Sequence, residues 1–146
     1  MYQHILVPLD GSRTASLALG KAAALAKVFK SKVTLATVVD THAFAHAGAE
    51  LTIGHREYIA AANANADNML AQAAADLAKE GVDAATKRVD VHAPHEGIIT
   101  AANEAGADLI VMGSHGRHGM QKLLLGSVAQ RVLTHTTLPV LVVRGE

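Results

Sequence analysis

Residues Leu109 to Met112 form a short, wholly apolar run bounded by Asp108 and Gly113, and glycines recur behind it at 113, 116, 119 and 126. Four apolar residues with flanks this sharp read as a strand buried on both faces of a parallel sheet. The glycines allow a backbone with positive φ that lies close against a ligand. Ser127 directly follows the last of them at a helix start, where Ser is a favoured cap. Amides of a Gly-rich turn and the unpaired N–H groups of a helix start point into one volume and favour negative charge there. On the plainer reading the glycines only tighten a connection and Ser127 only caps a helix. The whole set, placed directly behind a buried strand, favours a phosphate site. Neither G-x-x-x-x-G-K-S/T nor G-x-G-x-x-G after a strand occurs in the chain, which excludes Walker-type and dinucleotide-binding loops.

The rest of the chain supplies the sheet around that strand. His4 to Val7 is a first strand, left through the turn Pro8 to Ser12, with Ser12 or Thr14 placed to cap the next helix. Ala18, Ala22, Leu25 and Phe29 recur at helical spacing within Ala15 to Phe29. Lys32 to Val39 is rich in β-branched residues and predicts a second strand. Asp40 to His55 carries three His and two Gly without a period and reads as a lid or mobile loop. A long amphipathic helix follows from Arg56 to Glu80, stopped by Gly81, then an outer strand from Ala84 to Val91. His95 to Glu104 reads as a helix entered through Pro94 and ended by Gly106. Ser127 to Thr134 is the last helix, and Val140 to Val143 the last strand.

Five strands alternating with helices predict one α/β domain over residues 1–146, a single five-stranded parallel doubly wound sheet with helices on both faces. Such sheets commonly set the first and fourth strands side by side where the winding reverses, and ligands sit beyond the carboxyl ends of that pair. Pro8, Asp10 and Gly11 are delivered there from one side, Gly113, Ser114 and Gly116 from the other, with Val38 and Val39 beside them. Asp10 is placed to accept hydrogen bonds from a ribose hydroxyl or base amine, or to close an Asx turn with Gly11 and Ser12.

Composition narrows the function. With 146 residues the chain can bury about 70% of its unfolded surface without disulfides. It has no Cys, which excludes thiolate chemistry and suits a reducing cytosol. Thirteen basic residues balance thirteen acidic ones, so no net field favours nucleic acid or an anionic membrane. No apolar leader or membrane span is visible, and a soluble cytoplasmic protein is expected. Nine His invite a metal, but no Cys or H-E-x-x-H accompanies them, and no metal site or catalytic residue is assigned. His115 and His118 read as solvated loop residues.

The spacing G-x2-G-x9-G-S/T from Gly113 through Gly116 to Gly126 and Ser127, with Val111 to Arg117 and Leu124 to Val128 around it, resembles the nucleotide-binding signature of the universal stress protein family. The resemblance runs from Ile5 through Pro8 and Asp10 to Val143, and departures are confined to Thr41 to His55. It implies a Rossmann-like, adenine nucleotide alpha hydrolase-like fold and ATP binding. Pro8, Asp10 and Val38 would contact the adenosine part. Gly113, Gly116, Gly126 and Ser127 would hold the phosphates, Met112 and Val128 would line the pocket, and Gly113 or Ser114 would reach the ribose.

Because a helix end offers only about half a positive charge, Arg117 and Lys122 are expected to assist, together with Mg2+ held through phosphate oxygens and water. The last strand, apolar and without Lys or an inner Pro, would pair with its copy in a homodimer, as the resemblance also implies. The function so implied is a nucleotide-dependent regulator in stress response. A slow ATP-hydrolysing enzyme and a nucleotide-free interaction dimer are the alternatives.

Overall fold

The computed structural model describes residues 1–41, 53–115 and 124–145. These carry β1 (His4–Pro8), α1 (Arg13–Phe29), β2 (Lys32–Val39), α2 (Ile53–Lys79), β3 (Ala84–Asp90), α3 (Pro94–Ala105), β4 (Leu109–Gly113), α4 (Ser127–His135) and β5 (Val140–Val143). All strand pairs are parallel, in the order β3-β2-β1-β4-β5. The winding therefore reverses between β1 and β4, as the alternation of strands and helices predicts.

Strand periodicity divides the core into two layers. Ile5, Val7, Leu109 and Val111 face α1 and α2, whereas Leu6, Ile110 and Met112 face α3 and α4. Ile5, Leu6 and Val7 are wholly inaccessible, the mark of a central strand covered on both sides. The buried positions of α1 are all alanine, at 15, 18, 22, 23 and 26. Small side chains let that helix lie close to the sheet, which explains a hydrophobic composition so poor in aromatics.

The ends of the elements follow local chemistry. Ser12, not Thr14, caps α1, its hydroxyl accepting from the Ala15 amide at 3.2 Å. Gly106 ends α3 at φ 70°, a left-handed conformation that suits glycine. At the amino-terminal edge, the Asp108 carboxylate accepts from the Gln3 and His4 amides at 2.9 and 3.0 Å and ties β1 to β4. Those amides, His4's foremost, hold the Asp108 carboxyl below its ordinary pKa.

Two expectations are corrected. The irregular connection from Asp40 to His55 ends earlier, because α2 already includes Ile53, Gly54 and His55. His55 and Ile59 share a half-buried helical face, so an early start gains burial. The body of that connection, residues 42–52, lies outside the described residues, as do Gly116, Arg117, His118, Gly119 and Lys122. Ser127, expected to cap α4, is instead its first helical residue, and Gly126 occupies the cap position without a side-chain hydrogen bond. No helix among the described residues is long and apolar enough to cross a membrane.

Candidate functional site

Beyond the carboxyl ends of β1 and β4 lies a cavity of about 420 Å³, within the range of small-molecule sites. β1 and its turn contribute Pro8, Leu9, Asp10 and Ser12, β2 contributes Ala36 and Val38, and α3 contributes Pro94 and Ile98. The other wall is Met112, Gly113, Ser114 and His115, closed by Gly126, Ser127 and Val128 at the start of α4. Pro8, Asp10, Val38, Met112, Gly113, Ser114, Gly126, Ser127 and Val128, all singled out in the sequence, therefore surround one volume.

Gly113 and Gly126 are glycine for a reason different from the one expected. Neither has positive φ; among the described glycines only Gly11, Gly81 and Gly106 do. A Cβ on Gly113 would lie 2.7 Å from the Thr14 carbonyl carbon and 2.8 Å from the Ala15 amide nitrogen. A Cβ on Gly126 would lie 2.7 Å from the Ser114 carbonyl oxygen. Chain crosses chain at both points, and only hydrogen fits between them.

Those crossings hold the wall together. The Thr14 hydroxyl donates to the His115 carbonyl at 2.5 Å, the Gly126 amide donates to the Ser114 carbonyl at 2.7 Å, and the Ser114 amide donates to the Val143 carbonyl at 2.9 Å. On the β2 side, the Leu9 amide donates to the Ala36 carbonyl at 2.8 Å and the Thr37 hydroxyl to the Leu9 carbonyl at 3.0 Å. Each strand end is thus anchored to its neighbour before any ligand arrives.

The cavity has two chemical halves. Ala36, Val38, Pro94 and Ile98 form an apolar slot, while Asp10, Ser12, His115 and Ser127 lie on a polar side. Asp10 does close the Asx turn, its Oδ1 accepting from the Ser12 amide at 2.8 Å, and its side chain stays exposed. Ser114 is buried, with Oγ 3.0 Å from His115 Nδ1, so it acts as a pillar of the wall. His115, expected to be a solvated loop residue, is instead half-buried because it packs against Ser114, and its Nε2 is buried with no hydrogen-bond partner among the described residues.

At α4 the cap residue Gly126 has no side chain to bond the first turn and no acidic residue sits in it, and the positive end of the helix borders the cavity through Gly126, Ser127 and Val128. Pro94 and Ile98 were not singled out in the sequence, although the rule that helices of a doubly wound sheet start at its carboxyl edge would have placed Pro94 there.

The model of the Universal stress protein family matches residues 1–144. Universal stress protein MJ0531 of Methanocaldococcus jannaschii is 35% identical over 145 residues, covering 99% of this chain and 83% of its own. Universal stress protein MJ0577 of the same organism is 33% identical, covering 99% of this chain and 96% of its own. The solved structure of MJ0577 superposes with a TM-score of 0.86 over 100% of this chain and 98% of that one. A universal stress protein solved in complex with cAMP is 26% identical with a TM-score of 0.70, over 98% of this chain and 97% of that one. The family model spans residues 1–144 and two relatives above 30% identity each cover 99% of the sequence, so the chain belongs to the universal stress protein family.

Proposed function

We propose that this chain binds ATP at the carboxyl edge between β1 and β4 and works as a homodimeric, nucleotide-dependent regulator in the stress response. The observation that carries the reading is the division of one cavity into an apolar slot and a polar wall ending at the amino-terminal start of α4. A nucleoside triphosphate has the same division. The relative in complex with cAMP supports a nucleotide as the ligand class.

In this reading the base enters between Val38, Pro8 and Met112. Asp10 accepts from a ribose hydroxyl through the oxygen not used by Ser12. The phosphates lie at Gly113, Gly126 and Ser127, against Val128, and Gly116 and Arg117, outside the described residues, are expected to contact them from the connecting segment. Ribose contact falls to Gly113 in place of Ser114, whose hydroxyl is already engaged. A magnesium ion would be held by phosphate oxygens and water; among the described residues no three His, Asp or Glu converge on a point.

The nucleotide acts as a signal and is not consumed at speed. Even a modest rate enhancement asks for about 8 kcal/mol and a placed base. The titratable groups among the described lining residues are Asp10, bonded to Ser12, and His115, whose Nδ1 is bonded to Ser114 and whose Nε2 is buried away from solvent. The homodimer would form through β5, an edge strand with Leu141 40% exposed. The opposite edge, β3, carries Lys87 and Arg88, paired with Glu104 and Asp67. Charged edges discourage strand pairing, and apolar ones invite it.

Calorimetry with magnesium and ATP, on the native chain and on Gly116→Val, tests the assignment, with released phosphate followed in the same samples. Binding lost in the variant with negligible phosphate release is the expected result. No binding by the native chain would sink the nucleotide assignment.

A further inference from the structure

Gly97 stands outside every motif in the chain, yet it is buried in the first turn of α3 where that helix meets the end of β2. The turn is fixed by its own backbone, the Glu96 and Gly97 amides both reaching the Ala93 carbonyl, at 3.1 and 3.3 Å. A Cβ on Gly97 would stand 2.8 Å from Val38 Cγ2, 3.3 Å from Val38 Cγ1 and 2.8 Å from Val91 Cγ2. Val38 lines the apolar slot, and so do Pro94 and Ile98 on the two sides of Gly97 in sequence.

Resting on the nucleotide reading above, we infer that Gly97 sets the width of the slot that receives the base, and that it is a specificity-determining residue of this site although it does not line the cavity. A side chain at 97 leaves two responses. Val38 can turn away from it, but its β-branched side chain has few rotamers and its backbone is held in register against Val89 of β3. Alternatively, α3 lifts and carries Pro94 and Ile98 outward. That response opens a seam otherwise closed by Ala101 and Ala102, both wholly inaccessible. Either way the slot changes shape, while Gly113, Gly126 and Ser127 at the other end of the cavity keep their contacts.

The test compares ATP with tripolyphosphate, which carries the phosphate chain and no base, by calorimetry with magnesium. In Gly97→Ala, ATP affinity is expected to fall tenfold or more while tripolyphosphate affinity stays within twofold. Adding Val38→Ala and Val91→Ala together removes both contacts and is expected to return ATP affinity to that of the same two substitutions in a chain that keeps Gly97, whereas adding Val91→Ala alone leaves the Val38 contact and is expected to leave the loss in place. Val38→Ile, which retains Gly97, provides a second route to a narrowed slot and is expected to lose ATP with the same selectivity.

Unchanged ATP affinity in both Gly97→Ala and Val38→Ile would overturn the inference. So would a parallel loss of both ligands, or full rescue by Val91→Ala alone with Val38 still in place. A native chain that binds tripolyphosphate but gains nothing from the base would overturn the slot. A native chain that binds neither ligand would overturn the nucleotide reading itself and the slot with it.

Discussion

Replacing Gly126 by Ala probes the crossing of chain on chain that forms the site. The added carbon would lie 2.7 Å from the Ser114 carbonyl oxygen and 3.2 Å from the His115 Cα, both backbone atoms that have no rotamer to yield. Gly126 already has φ −65°, so alanine meets no conformational objection there and the whole effect is steric. Forcing such a contact costs about 1–3 kcal/mol. Separating the strands also loosens the Gly126 amide from the Ser114 carbonyl, a further cost of about 1 kcal/mol. The sum, about 2–4 kcal/mol, leaves a domain of ordinary stability folded. At about 2–4 °C per kcal/mol for a chain of this length, Tm should drop by roughly 4–16 °C.

The same displacement moves the start of α4 away from β4, so ATP affinity should fall in the surviving folded protein. Thermal unfolding followed by circular dichroism, with calorimetry at a temperature where both proteins are folded, reads both effects. A variant with native Tm and native ATP affinity would refute the argument that Gly126 is glycine for want of space.

Other perturbations separate the forces at work. Gly20→Ala puts a methyl into open space on the exposed side of α1, and removing a mid-helix glycine should raise stability by about 0.5–1 kcal/mol in a urea titration. His4 is held below its ordinary pKa of 6.5, first by burial and then by Lys32, with Asp108 opposing. The unfolded chain therefore takes up that proton first, and stability should fall as pH drops below 6.5 toward the lowered folded value; His4→Gln should flatten this slope. Asp108 has its folded pKa lowered from 3.8, so its contribution is complete above that value and is lost as pH falls through the folded one. In Asp108→Asn the acid limb below pH 4 should become shallower. Leu141→Lys places a charge on the exposed face of β5, and sedimentation should show a shift toward monomer without loss of ATP affinity.

Much of the fold is legible in the sequence because each apolar run has a single consistent period. Ile5 to Val7 and Leu109 to Met112 are continuous because both faces are covered, and in the structure they lie side by side. Helix ends were legible where one residue type dominates the chemistry, as at Gly106, whereas the cap of α1 was narrowed only to Ser12 or Thr14. The role of Gly113 and Gly126 was not, because a glycine required for clearance and a glycine required for φ are the same letter, and only the crossing segment tells them apart. Ser127 misled for a related reason, since its neighbour Gly126 also serves as a cap and takes the position. Gly97 and the place of Ile98 at the site escaped notice because their importance comes from β2, about sixty residues away in sequence, and helical periodicity records only that Ile98 faces inward.

The most direct measurement of the central claim is a map of backbone amide chemical shifts in the native chain as ATP and magnesium are added. The account places the largest shifts at Asp10, Val38, Gly113, Ser127 and Val128, with saturation at one nucleotide per chain and small changes along β3 and the carboxyl half of α2. Shifts concentrated away from the ends of β1 and β4, or none at saturating nucleotide, would contradict it.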